Sequence, residues 1–216
     1  ARNVRTAAVN KLVARGNAVF PQLQQLFESA ENPYVQVRPI WVMAQLGPKG
    51  QGYVRNLLNS RNPQHRLVAY RALRFAQPAG LIPMANKMAG DKDPSVRREV
   101  ALSLRDVPYA KAKRALAQVI DGYDGKNRWY LEAIGAGSVG NEDRVYDELV
   151  SPNHAKTSPA EWGDRVKNLA WRLHTPQAIE DLHATIKTQK PTIEDFRRWV
   201  MGYAGYRNNT ERKQYK

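Results

Sequence analysis

Asp93-Pro94-Ser95-Val96-Arg97, followed by Val100, Ala101 and Leu104, is the stretch that decides the fold. Asp is a good helix cap, and Pro in a first turn loses no hydrogen bond. The apolar residues after it recur at helical spacing. The same phrase stands upstream as Asn62-Pro63-Gln64-His65-Arg66, then Ala69, Tyr70 and Leu73, at identical offsets from the Pro. A third copy, Asn32-Pro33, reaches Val37-Arg38 with two extra residues, and continues into Trp41, Val42, Ala44 and Leu46. A truncated copy opens the chain with Val4-Arg5, Ala8, Val9 and Leu12. Downstream come Arg128 with Trp129, Leu131, Ala133 and Ile134, and a looser copy at Arg165 with Leu169, Ala170 and Leu173.

Second apolar stretches lie between these helices: Val19 to Phe27, Tyr53 to Leu58, Leu81 to Met88, Ala112 to Ile120 and Val145 to Leu149. Each unit therefore reads as two short helices. Neither helix can bury its stripe alone, so neighbouring units must stack. The expected fold is all-α, a right-handed α-solenoid of about five to six helical hairpins. One solenoid is expected over 1–206, with looser helices after about residue 150 and a polar tail over 207–216. Ser158 and Glu161 suggest a capping box opening a helix at Pro159 that stops near His174. Thr175-Pro176 restarts the chain, and Thr192 with Asp195 caps a last helix. Gly135-Ala136-Gly137-Ser138-Val139-Gly140 reads as a loop between paired helices, because no apolar strand leads into it as a phosphate loop requires.

Cysteine is absent from the 216 residues, which excludes disulfides, thiolate metal sites and a cysteine nucleophile within them. No 18-residue apolar run is present, so no transmembrane segment is expected. The chain begins at Ala1 rather than Met, which suggests a processed or excised piece of something longer. Charge is the unusual quantity: 34 basic against 20 acidic residues give +14. Residues 1–90 hold 12 basic residues and only Glu28 and Glu31, a net of +10, while residues 121–216 are near balance at +1. Such a field attracts an acidic partner. Burying those cations unpaired is expensive, so an electropositive shoulder is expected over the first three units.

The chemistry-bearing residues assemble no catalytic site, and neither a cofactor nor a metal is expected. His174 and His183 flank Glu180 but form no i,i+4 pair, and His65 and His154 stand alone. Asp121 and Asp124 flank Gly122 and suggest a turn rather than an acid/base pair. The arginines at 5, 38, 66, 97, 128 and 165 form a ladder, one per repeat. Bonded to the preceding unit's polar side chains or helix-end carbonyls, the ladder is structural, which is the favoured reading; as an exposed ridge it would bind phosphates or carboxylates. Arg71, Arg74, Lys87 and Arg98 are candidates for an exposed contact face. Arg128, Trp129 and Tyr130 form the best local contact site, since adjacent aromatics on a helix face different ways.

The repeats resemble HEAT repeats over about residues 1–180. The segments Asp93-Pro94-Ser95-Val96-Arg97-Arg98-Glu99-Val100-Ala101-Leu102 and Tyr123-Asp124-Gly125-Lys126-Asn127-Arg128-Trp129-Tyr130-Leu131-Glu132-Ala133-Ile134-Gly135 go further. They resemble the HEAT region of large exported planctomycete and verrucomicrobial proteins, which join a sugar-dehydrogenase-like β-propeller to a c-type cytochrome domain. That resemblance implies a non-catalytic scaffold or spacer in an exported redox protein, periplasmic or extracellular. Its partner would be an acidic protein or a neighbouring domain of the same polypeptide. The alternative is a basic HEAT-like nucleic-acid-binding protein, such as a DNA base-excision enzyme. That class needs an aromatic pair and a catalytic Asp, for which the sequence offers no placement.

Overall fold

The structure is a computed structural model that describes the backbone of residues 2–153, 158, 161–188 and 191–214, and the side chains of 4–152, 158, 161–185, 187 and 191–204. Among these residues the chain is all-α, without strands. The helices are α1 (Arg2–Ala14), α2 (Phe20–Ser29), α3 (Pro33–Gln36), α4 (Arg38–Met43), α5 (Gly47–Leu57), α6 (Pro63–Ala76) and α7 (Leu81–Met88), followed by α8 (Pro94–Ser103), α9 (Tyr109–Asp121), α10 (Arg128–Gly137), α11 (Glu142–Val145), α12 (Asp164–Leu173), α13 (Pro176–Thr188) and α14 (Ile193–Gln214). A single π turn, Tyr146–Val150, extends α11. His154, Lys190 and the side chains of the tail expected at 207–216 lie outside the described residues.

The caps follow the repeated phrase. The side chains of Asn32, Asn62, Asp93 and Asn127 each accept a backbone N–H from the first turn of the helix they precede, at 2.9, 2.9, 2.8 and 3.0 Å. Each bond satisfies a donor that the helix itself leaves without a partner. The copy with extra residues breaks in two: α3 ends at Gln36 and α4 begins at Arg38. Pro39 has no N–H for the carbonyl of Val35, so the helix cannot run straight through. The last helix opens with a reciprocal box, Asp195 N donating to Thr192 Oγ1 at 3.1 Å and Thr192 N to the Asp195 carboxylate at 3.2 Å.

The chain divides into two compact units, Ala1–Met88 and Ala89–Lys216. In the first, α4 packs on α2, α5 and α6 around Phe20, Phe27, Ile40, Met43, Val54 and Tyr70. In the second, α8 packs on α10 and α9, and α12 on α10, α13 and α14, around Val96, Leu104, Leu116, Ile134, Leu169 and Leu173. The second apolar stretches of the repeat fall on α2, α5, α7, α9 and, at 145–149, on α11 and its π turn, with Val19 just before α2 and Leu58 capping α5.

Two local expectations are corrected. The glycine-dense segment is not a loop: Gly135 and Gly137 lie inside α10, and only Gly140, at φ +80°, makes the turn. A Cβ on Gly137 would stand 2.3 Å from the Ala101 carbonyl oxygen, and one on Gly135 2.0 Å from the Arg172 guanidinium carbon. At Gly137 the cause is the close approach of the α8 backbone, and at Gly135 the Arg172 guanidinium lies over the helix; neither marks a bend in the backbone. The helix expected from Pro159 starts instead at Asp164, with Gly163 as its cap. Its end is where the sequence puts it, with His174 left-handed at φ +39°.

Candidate docking surface

The arginine ladder divides by what each guanidinium touches. Arg66 Nη1 donates to the carbonyls of Ser60 at 2.8 Å and Arg61 at 3.2 Å. Arg97 Nη1 makes the equivalent bonds to Asp91 at 2.6 Å and Lys92 at 3.0 Å. Those acceptors lie six and five residues upstream, in the bend before the capping residue. Arg97 also donates through Nη2 to the Gly122 carbonyl at the end of α9, at 2.9 Å, and reaches the next repeat through Nε to the Tyr130 hydroxyl at 2.9 Å. Arg165 closes on the same helix end, donating to the carbonyls of Tyr123 at 2.8 Å and Ile120 at 2.9 Å. The last turn of α9 carries no basic residue of its own, so two guanidiniums from α8 and α12 supply the positive charge its carbonyls attract.

Arg128 is the first residue of α10, directly after the cap, and makes no such bond. It is exposed, lies over the Trp171 ring at 4.4 Å, and pairs with Glu132 at 2.7 Å. Glu132 also takes Arg172 at 2.7 Å, so one carboxylate bridges two cations. Arg5 and Arg38 differ again. Both are exposed, and neither makes a hydrogen bond or ion pair with the described residues. At Arg38 the reason is register: the two extra residues before it carry the Asn32-Pro33 cap away from the offset used at Arg66 and Arg97.

Arg5 and Arg38 stand on the rim of a groove of about 810 Å³ in the first unit. Its walls come from α1, α2, α3, α4 and α6, and none of the lining residues is Asp or Glu. Tyr34 and Phe75 are 77% and 66% exposed there, and Phe75 meets the half-buried Trp41 edge-on at 6.5 Å. The sequence marks Arg5 and Arg38 only as ladder members. Their irregular spacing was the available signal; the convergence of Tyr34, Trp41 and Phe75 from separate helices had none.

The contact face named from sequence is only partly assembled. Arg98 and Trp129 line one shallow notch in the second unit, with Leu102 and Ala136. Trp129 is 73% exposed, whereas its neighbour Tyr130 is buried, donates to the Val119 carbonyl at 2.8 Å and stacks on Tyr123. Tyr130 therefore presents nothing to a partner. Arg71 and Arg74 are half-buried on α6 and already engaged, while the exposed Lys87 bonds the Asn59 amide at 2.8 Å.

The titratable side chains considered for chemistry are tied into structure. Asp124 accepts the N–H groups of Lys126 and Asn127 at 2.8 and 3.0 Å; these two bonds hold its carboxyl below the usual range and close the turn. His65 sits between Gln36 and Ser60 against Phe27, and burial lowers its pKa. Burial, with Arg172 nearby, lowers that of His174. His183 is stacked on Trp199 at 5.3 Å. Among the described residues no group of three His, Cys, Asp or Glu is placed to hold a metal ion. No helix among them is long and apolar enough to cross a membrane.

A family model described as HEAT repeats matches residues 53–135. The fold is a HEAT-like helical repeat. That match spans the two best-formed staples, Arg66 and Arg97, and ends as the glycine-bearing part of α10 begins. No curated protein and no solved structure matches the chain. HEAT-like repeats in general serve as protein-interaction scaffolds, presenting an extended stacked-helix surface.

Proposed function

We propose that this HEAT-like chain is a non-catalytic docking module whose first unit receives an acidic protein partner. The observation that carries the reading is the charge of Ala1–Met88, 12 basic residues against 2 acidic, together with two arginines on its groove that have no partner among the described residues. Surface cations in that excess stay solvated until a complementary surface neutralises them. The narrower reading places the module in an exported redox protein, as spacer and docking site between a sugar-dehydrogenase-like propeller and a c-type cytochrome domain. It rests on the resemblance of 93–135, and the coding sequence flanking the chain tests it: propeller repeats or a CxxCH motif are expected there, and their absence removes the redox context.

Net charge also suits a nucleic acid, the basis of the alternative as a basic nucleic-acid-binding or base-excision protein. Filter binding of duplex DNA separates the two. Under the docking reading no retention is expected at about 0.15 M salt. Tight retention that weakens steeply with added salt would move the chain to the nucleic-acid class.

A further inference from the structure

We infer that the groove bounded by Arg5 and Arg38 is a binding site for an amphipathic acidic segment of a partner protein, with apolar side chains on one face and carboxylates beside them. The inference rests on the docking reading above and assigns it a place and a ligand chemistry.

Two independent features define that ligand. The first is the wall. Tyr34 and Phe75 expose most of their rings on the groove, Trp41 lies beside Phe75, and Leu26 is 41% exposed. Aromatic rings and arginine gathered around one apolar depression are the composition of an interface centre rather than of ordinary surface. Such a wall takes apolar anchors. The second is the rim. In a ladder where Arg66, Arg97 and Arg165 direct their donors to backbone carbonyls, Arg5 and Arg38 keep theirs facing outward with no partner among the described residues. A guanidinium offers a fork that fits a carboxylate with two parallel hydrogen bonds. With no acidic residue lining the groove, the carboxylates must come from the occupant.

This chemistry distinguishes the groove from the rest of the basic unit. Exposed cations away from it, such as Arg61 and Lys87, attract any polyanion, whereas the groove requires apolar and acidic groups together. A basic segment would meet like charge at the rim, and a purely polar acidic segment would leave the aromatic wall wet.

The test uses the full chain and three fluorescein-labelled peptides of about 18 residues, roughly five helical turns. One carries Leu at helical spacing with Glu elsewhere. The second keeps the Glu but has Ser for Leu, and the third keeps the Leu but has Lys for Glu. Anisotropy is expected to show the Leu/Glu peptide binding at least about tenfold tighter than either control. Arg5→Glu with Arg38→Glu, and separately Tyr34→Ser with Phe75→Ser, should each weaken it about tenfold. These side chains are exposed, so thermal unfolding should be unchanged in both variants. Arg61→Glu with Lys87→Glu should change binding less than about threefold. Equal binding of the Ser/Glu peptide, or wild-type affinity in the Arg5/Arg38 variant, overturns the groove assignment while leaving a charge-driven docking surface intact. Failure of both acidic peptides to bind overturns the groove and the docking reading together. Sedimentation showing that the chain fills its own groove as a dimer, abolished by Phe75→Ser, overturns the assignment to a partner.

Discussion

Arg97 holds four acceptors in two repeats: the Asp91 and Lys92 carbonyls before its own helix, the Gly122 carbonyl after α9, and the Tyr130 hydroxyl on α10. Replacing it with Ala leaves three carbonyls short of a charged donor, and about 2–4 kcal/mol of stability is expected to be lost in urea unfolding. Arg97→Lys should recover little, because an ammonium cannot fork across acceptors that lie in different directions. A second residue-scale effect concerns pH. The folded-state pKa values of His65 and His174 are lowered, mainly by burial. The native chain therefore resists taking up protons that the unfolded chain binds at its ordinary value of 6.5. The stability difference is zero well above that value and grows unfavourable as pH falls below it. Urea midpoints should drop between about pH 7.5 and about pH 5, and His65→Gln with His174→Asn should flatten the profile. Asp195 acts in a lower window. Burial pushes its carboxyl up, but its bonds from Thr192 and Lys167 outweigh that and hold it below the usual range, so its contribution is lost only as pH falls toward that lowered value.

Each helix start marked by Asn-Pro or Asp-Pro was legible because capping is local chemistry: the side chain bonds a backbone group two or three residues on. The elements that misled were decided by residues far along the chain. Glycine usually punctuates, so Gly135 and Gly137 suggested a loop, yet Gly137 answers to the Ala101 backbone on α8, and Gly135 to the Arg172 guanidinium on α12, a side-chain end that can move aside. No local pattern reports that approach. The distinction yields paired expectations at element scale. Gly137→Ala forces a methyl against the Ala101 carbonyl, a backbone atom that cannot move aside, and should destabilise by about 1–3 kcal/mol. Gly52 also lies inside a helix, α5, but a Cβ there meets nothing within 4 Å. Gly52→Ala should stabilise by about 0.5–1 kcal/mol, since only the unfolded chain loses freedom. Chemical denaturation of the two variants should therefore give shifts of opposite sign. The start of α12 misled because Ser158 and Glu161 have capping-box spacing, and the Glu161 N–H does bond the Ser158 carbonyl at 2.8 Å, but the helix begins only at Asp164, after Gly163.

At the scale of the molecule, the charge asymmetry was readable from the sequence, but which cations carry it was not. Arg71 and Arg74, natural choices by position, are half-buried and engaged. Arg198 in the second unit is only 14% exposed at its side chain and bonds Asp164 and Asp195. Reversing any of these would disturb structure and charge together. Lys11, Arg15, Arg61 and Lys87 are exposed in the first unit, and Arg105, Lys111, Lys126 and Lys187 in the second. Reversing either set to Glu lowers the total charge from +14 to +6, but the first set takes Ala1–Met88 from +10 to +2 and the second leaves it untouched. If total charge governed association with an acidic protein, the two variants would slow it equally. If the first unit is the docking side, the first variant should slow association about tenfold or more at low salt, and the second about twofold or less. Dissociation should change little in either, because these cations steer the approach rather than fill the groove. Stopped-flow rates at two ionic strengths decide it. Equal slowing in both variants means that the field of the whole chain, and not the placement of charge in its first unit, guides the partner.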